Sequence, residues 1–536
     1  MNNLCRLIWK NSLNGSKVMY SIKSYLLEKV RNLVNDVRVD VNRSPLKPFD
    51  YATNLLHIYK DFKEENVIDY FRNIEMVEDV KVVNRFVNIK LNRQKVFEVV
   101  LRNYFSDLWR NYDLGKGRKV LIEFVSANPT GPLNAVNGRS ATFGNTLANV
   151  MKYFGYHVFK EYYVNDVGEQ IEKLVDSFIE RIKEARGLDF KIPEGGYEGE
   201  YLKDLARDFV DKNYSREKLK EFLIEHFVNS HRTTLERFGV VFDNWFKQSS
   251  LNNLEETIQI LKDKGLIYEH DGALYFKSTL FGDDKDRVVK KTVGRVDYTY
   301  FAYDIEYIKN KFLRGFDEII TILGPDHHGY INRLLAATKA LGYDNHKIII
   351  LQIVNVIEKD KLLKMSKRKG VLVLLDELMD KVNPMFLRYF FLSRLKDSPL
   401  DLDIELINRL TLDNPLYYVF YVYARINGVL NNYGKELPNF EEVLGVDIWD
   451  DEFELFLSIC EFRDALLSAL NDPYYLTLWA HNFAKIFHRF YNNHRIICSK
   501  ELGVEREKLR LILLLISKGV LERWGELLNI ELPEKM

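Results

Sequence analysis

The chain has 536 residues, 46% hydrophobic and 29% charged, with 77 basic and 77 acidic side chains that cancel at neutral pH. That balance excludes a uniformly basic nucleic-acid binder, and no apolar run reaches the roughly 18–20 residues of a membrane span, so no membrane partner is expected. The length suits roughly three to four domains. Cys5, Cys460 and Cys498 lie too far apart to suggest a disulfide or a cysteine zinc site, which points to a reduced, cytoplasmic setting.

In chain order, residues 1–18 read as a disordered extension, with Met1 and Met19 both open as starts. Residues 19–112 mix helical patterns (Ile22–Val34, Phe62–Asn73) with short strand-like runs (Val80–Val83, Phe86–Leu91), a small α+β domain. Residues 113–400 are expected to form a Rossmann-like parallel-sheet domain of the α/β class. Its first strand, Val120–Val125, ends at Asn128-Pro129-Thr130-Gly131-Pro132, and an amphipathic helix follows from about Asn137 to Tyr153. Residues 166–285 are charged and helix-rich, a helical insertion broken at Gly195-Gly196. Strand-like runs at Glu318–Leu323 and Lys347–Val356 flank a helix, Asn332–Leu341, as in a βαβ unit. Residues 401–536 read as an all-α bundle with helices at Leu416–Asn431, Phe453–Asn471, Tyr474–Cys498 and Lys508–Leu528. From Glu405 onward there are 14 Lys and Arg against 20 Asp and Glu, so any polyanion must meet a local face.

Two stretches carry chemistry. A strand that turns into a helix places helix N-terminal N–H groups where phosphate can meet them, and Pro129, Gly131 and Pro132 keep the approach open. Alone this pattern is most often structural. In Lys364-Met365-Ser366-Lys367-Arg368, two ammonium groups three residues apart can grip a triphosphate, and Ser366 adds a hydroxyl donor. A solvated basic loop is the plain alternative. His327 and His328 are adjacent, so they point in different directions, and no spaced carboxylate–histidine set supports a metal site.

The Lys364–Arg368 run matches the second signature of class I aminoacyl-tRNA synthetases. The string Glu123-Phe124-Val125-Ser126-Ala127-Asn128-Pro129-Thr130-Gly131-Pro132 resembles the first-signature strand of bacterial arginyl-tRNA synthetases. The likeness continues at Glu161–Gly168, Gly199–Ala206, Asp284–Arg287, Tyr300–Ile305, Gly324–Tyr330, Asn414–Val419, Ala424–Ile426, Phe487–Asn492 and Leu532–Met536, in matching order. It implies that ATP, as its Mg2+ complex, and L-arginine form an arginyl-adenylate that is transferred to tRNA(Arg), with no tightly bound cofactor. It further implies a monomer, a tRNA-contacting N-terminal domain and an anticodon-binding helical domain.

By the same resemblance, Lys364, Ser366 and Lys367 are catalytic. ATP is expected at Pro132, Asn134, Asn137, Gly138, Met365 and the two lysines, and arginine at Glu123, Ser126, Asn128, Tyr300, Asp304 and His328. A carboxylate such as Asp304 suits a guanidinium, whose planar fork is best read bidentately. Tyr417, Tyr421, Arg425, Arg489, Tyr491 and Asn492 combine stacking surfaces with cations, as single-stranded RNA favours, although aromatic stripes at helical spacing are more often core.

One departure stands out. Where the family carries two histidines around a glycine, this chain has Asn134-Ala135-Val136-Asn137. The asparagines keep donors but no charge, and β-branched Val136 takes up space. Lys116, Arg118, Lys119 and Arg139 are the cations available to compensate. Two readings stay open: an active arginine–tRNA ligase, or a catalytically silent tRNA- or arginine-binding relative.

Overall fold

The computed structural model describes residues 21–105, 113–212, 214–293, 297–363 and 373–536. Lys364, Met365, Ser366, Lys367 and Arg368, the 1–18 extension and Cys5 lie outside them. The chain divides into two compact units. One comprises the described residues of Gly115–Arg409 with Leu528–Ile530; the other comprises those of Met1–Leu114, Leu410–Leu527 and Glu531–Met536.

The first unit is built on a five-stranded parallel sheet, in the order His346–Ile350, Glu318–Leu323, Lys119–Glu123, His157–Val164, Asn244–Lys247. Val120, Leu121 and Ile122 are fully buried, as expected of a strand covered on both faces. From the central strand Lys119–Glu123 the chain crosses through the helix Ala135–Tyr153 to the strand on one side, while Glu318–Leu323 pairs on the other. The carboxyl end of the central strand is therefore a topological switch point, where open α/β sheets bind ligands. Helix and strand pack closely because residue 144 is glycine: a Cβ there would lie 2.3 Å from the Phe124 ring.

Two expected features differ. The apolar run Lys347–Val356 is not one strand; it breaks into His346–Ile350 and Val354–Glu358, which belong to different sheets. At the break, buried Arg139 donates to the carbonyls of Gln352 (2.8 Å), Ile353 (3.4 Å), Leu395 (2.9 Å) and Ser398 (3.1 Å), satisfying backbone that has left the ladder. Residues 166–285 hold the helices Glu169–Ala185, Glu200–Arg207, Arg216–Arg237 and Leu254–Asp263, but also strands. Asn244–Lys247 completes the parallel sheet, and Ile267–His270 and Ala273–Phe276 enter a separate antiparallel sheet with Arg287–Lys291 and Asp297–Tyr298. Their hairpin turns at Asp271-Gly272, both left-handed (φ 44° and 69°), as the right-handed twist of a two-residue hairpin requires.

In the second unit the helix Ile22–Leu33 and a four-stranded antiparallel sheet precede the helices Pro415–Asn432, Asp450–Cys460, Phe462–Ala469, Tyr474–Asn493 and Val504–Leu528. The span read as one helix over Phe453–Asn471 is thus two. The α+β part and the helices, assigned to separate domains by sequence, cluster as one unit. Phe97 packs edge-on to Phe456 at 4.8 Å, and Arg93 pairs with Asp450 at 2.6 Å. Cys460 and Cys498 are buried free thiols. Among the described residues no helix is long and apolar enough to cross a membrane.

Candidate active site

A cleft of about 830 Å³ opens at the carboxyl end of the central strand. The strand ends in strained backbone: Val125 and Ser126 have φ of 66° and 39°, in the left-handed region. Ser126 N–H donates to Phe124 O at 2.9 Å across Val125, forming a γ-turn, and Val125 N–H donates to Ser140 Oγ at 3.0 Å. For a β-branched residue such a conformation costs on the order of 1–3 kcal/mol and persists only where its surroundings impose it.

Two carboxylates face one another at this end. Glu123 is buried; Lys311 Nζ donates to its Oε2 at 2.5 Å and Ser126 Oγ to its Oε1 at 3.2 Å. Lys311 also lies 3.9 Å from the centroid of the Tyr307 ring. Asp304, seven residues before Lys311 on the helix Tyr300–Leu313, has no hydrogen bond or ion pair among the described residues. Burial, together with the negative charge of Glu123, raises its carboxyl to about 7, against the opposing pull of Arg333 and Lys311. Nearby His346 is held neutral, lowered to about 3 by burial and then by Lys311, and bridges Thr321 (3.0 Å) and Thr338 (2.8 Å).

The helix start differs from the expectation of unpaired N–H groups. Asn134 is the N-cap: its Oδ1 accepts from Val136 N (3.0 Å) and Asn137 N (3.2 Å), while Asn137 Oδ1 accepts from Asn134 N at 3.0 Å. Ala135 N–H donates to Val373 O at 3.1 Å and Gly138 N–H to Asn134 O at 3.1 Å. The first turn is thus satisfied by a reciprocal capping box and by the segment Val373–Leu375, which re-enters beside it. Because backbone N–H groups hold both amide oxygens, each asparagine turns its NH2 end away from the cap, and both line the cleft.

Glu123, Ser126, Asn128, Pro132, Asn134, Asn137, Tyr300 and Asp304 all line this cleft, as does Val136. Asn128 Nδ2 donates to Gln170 Oε1 at 2.6 Å. Gly138 and His328 stand off the cleft. A Cβ on Gly138 would meet Leu375 and Phe391 at 2.9 Å, and His328 Nε2 lies 3.5 Å from Gln352 Nε2, while its neighbour His327 lines the cleft. Of the compensating cations, Arg139 is spent on the strand break and Arg118 donates to Tyr156 OH at 2.8 Å; Lys116 and Lys119 are also off the cleft. Lys311 and Lys173 are the cleft cations that sequence reasoning missed, along with Tyr163, Tyr307 and His346; Lys311 is the one paired with Glu123. For Lys311 the i, i+7 spacing from Asp304 was the signal, since such residues share a helix face.

In the other unit, Arg425 lies between the rings of Tyr421 (4.3 Å) and Tyr491 (4.7 Å) and donates to His488 Nδ1 (3.0 Å) and Asn492 Oδ1 (3.3 Å). Tyr417 is half-buried on the same helix. Arg489 stands apart, paired with Glu454 at 2.6 Å.

Residues 100–385 match the family model for the catalytic domain of class I tRNA synthetases (R), and residues 419–536 that for the DALR anticodon binding domain. The chain is 37% identical over 523 residues to the arginine–tRNA ligase of Desulforamulus reducens, covering 91% of each chain. It is 38% identical to that of Desulforudis audaxviator, covering 86% of this chain and 85% of the relative. The Thermus thermophilus arginyl-tRNA synthetase structure shares the fold with a TM-score of 0.76 at 18% identity, over 96% of this chain and all of that one. With a switch-point cleft, an anticodon-type helical domain and relatives matched over nearly its whole length, the chain belongs to the arginyl-tRNA synthetase family.

Proposed function

We propose that the cleft is where this arginine–tRNA ligase activates its amino acid, with the guanidinium of L-arginine on Asp304. The observation that carries the reading is the state of that carboxylate: part-buried, in no ion pair among the described residues, and raised to about 7 by burial and the Glu123 charge. A guanidinium supplies the missing charge and two parallel hydrogen bonds. Tyr300 and Asn128 flank the substrate. Glu123 and Ser126 act on arginine through the cleft's shape and charge, since each is already bonded within the protein.

ATP lies along Pro132, Asn134 and Asn137, whose amide NH2 groups donate to phosphate oxygens as neutral substitutes for imidazoles, helped by the helix dipole. A carboxylate oxygen of arginine attacks the α-phosphorus, the bond to the bridging oxygen breaks, and pyrophosphate leaves an arginyl-adenylate. Lys364 and Lys367 neutralise the departing pyrophosphate, Ser366 donates a hydroxyl hydrogen bond to it, and Met365 contacts the ATP. Mg2+ enters with the ATP phosphates as part of the substrate complex. A terminal ribose hydroxyl of tRNA(Arg) then attacks the arginyl carbonyl and AMP departs. The Tyr421–Arg425–Tyr491 stack, with Tyr417, Arg489 and Asn492, offers the faces on which anticodon bases stack. The N-terminal α+β part contacts the tRNA, and the protein works as a monomer in the cytoplasm.

The test is ATP–pyrophosphate exchange dependent on arginine, run with cognate tRNA present. Exchange that disappears in Lys364→Ala while tRNA still binds is the expected result. Background exchange in the unmodified protein, with tRNA bound, would overturn the reading.

A further inference from the structure

The turn that leads into the cleft is held by side chains rather than by a strand ladder. Tyr162, fully buried on the strand His157–Val164, lies with its hydroxyl 3.0 Å from Ala127 O. Tyr201, on the helix Glu200–Arg207, donates to Thr130 O at 2.8 Å. His231, fully buried on the helix Arg216–Arg237, places Nε2 2.7 Å from Gly131 O and Nδ1 2.8 Å from Tyr162 OH. Residue 131 must be glycine for this grip to close, because a Cβ there would meet the Tyr201 ring and hydroxyl at 2.9 Å.

We infer that His231, with Tyr162 and Tyr201, is a positioning residue for ATP activation, fixing the carbonyls of Ala127, Thr130 and Gly131 so that the turn presents Pro132 and Asn134 to the nucleotide. The assignment rests on the cleft being the ATP site. It makes two helices of the 166–285 insertion part of that site's frame. The turn directly follows the left-handed Val125 and Ser126, so the clamp extends the restraint that Ser140, Glu123 and Tyr163 N–H place on this strained entry to the residues that meet the nucleotide.

Proton counting fixes the imidazole's state. Gly131 O is an acceptor only, so Nε2 carries the hydrogen and Nδ1 is the acceptor. The single hydrogen of Tyr162 OH then serves either Nδ1 or Ala127 O. Burial favours this neutral form and lowers the ring to about 4. His231 therefore contributes a directed donor, which an apolar residue of similar bulk cannot replace.

The experiment compares His231→Leu with His231→Gln in the full chain, measuring kcat and KM for ATP in arginine- and tRNA-dependent exchange, with thermal unfolding alongside. Misplacement of a site element by ~1 Å costs on the order of 10²-fold. The leucine variant is therefore expected to lose about 10–100-fold in kcat/KM for ATP, and glutamine, which keeps a donor near Nε2, to recover most of it. Leucine within about twofold of the unmodified protein, or glutamine no better than leucine at equal Tm, would overturn the assignment. If the leucine variant fails to fold, Tyr162→Phe decides, since it removes only a hydroxyl. A loss of about 3–10-fold, the scale of one buried hydrogen bond, supports the clamp, and full activity overturns it. Exchange by the unmodified protein is the control that separates failure of this clamp from failure of the cleft as the ATP site.

Discussion

Glu123 and Asp304 sit at the same end of one cleft and carry the same chemical group, yet the protein treats them oppositely. Glu123 is buried, salt-bridged to Lys311 at 2.5 Å, and further bonded to Ser126. Asp304, on the helix that supplies Lys311, has burial and the Glu123 charge raising its carboxyl to about 7, with no bonded cation among the described residues. The contrast separates architecture from function. A satisfied carboxylate fixes where the strand end and the helix meet; an unsatisfied one keeps its proton toward neutral pH and gives it up to a cationic ligand.

The largest break in this contrast comes from removing the cation on the satisfied side. Lys311→Met leaves Glu123 buried against apolar surroundings, which for a broken buried pair costs about 3–5 kcal/mol. Urea unfolding should show the midpoint falling with little change in slope. Adding Glu123→Gln should restore much of the loss, because the orphaned charge is then gone. A Lys311→Met protein as stable as the parent would mean the pair is not an architectural element.

On the unsatisfied side, Asp304→Asn keeps shape and hydrogen-bonding capacity but deletes the charge. Hydrogen bonds to charged groups contribute about 1.5–3 kcal/mol each, so loss of a bidentate pair corresponds to a rise of about 10²–10⁴-fold in the arginine KM. The KM for ATP should stay within a few-fold, and stability should not fall, since the substitution removes a strained charge. An unchanged arginine KM in exchange kinetics would return Asp304 to the class of ordinary part-buried carboxylates.

The satisfied partner was much harder to read from sequence than the unsatisfied one. Asp304 lay inside a recognisable string, Tyr300–Ile305, whereas Lys311 acquires its meaning from Glu123, 188 positions away. Helices such as Pro415–Asn432 were legible because one amphipathic pattern fixes them locally. The break at residues 351–353 was not, because Gln352 is the one polar residue between two β-branched runs and the stabilising donor is a distant arginine, Arg139. The hairpin at Asp271-Gly272 did carry a local turn signal, but each flanking strand is only four residues long, and the first, Ile267–His270, ends in Glu269 and His270 rather than in an apolar alternation. Asn134 and Asn137 were legible as departures from a family pattern. Their reciprocal cap was equally available in the Asn-x-x-Asn spacing, yet a capping role and a phosphate role compete for the same residues, and only the direction of the amide oxygens divides the two.

The gentlest way to sharpen the comparison is to titrate it. Arginine's guanidinium stays charged throughout the neutral range, so it should bind the ionised form of Asp304 and expel the proton. In the free protein that proton leaves at about 7. The arginine KM should therefore fall as pH rises, by about tenfold between pH 6 and pH 8, then level off. Because kcat/KM reports the free enzyme and kcat the bound complex, the limb belongs in the former and is absent from the latter. The stability sign is opposite: a carboxyl raised above its unfolded value binds its proton better in the folded state, so the unliganded protein loses stability from this group as pH climbs from about 4 through 7. Asp304→Asn should flatten both trends. Glu123→Gln, which removes the charge facing Asp304, should leave the limb in place but move it to lower pH. A limb that ignores Glu123→Gln would show that burial alone, and not the juxtaposition of the two carboxylates, sets the state of Asp304.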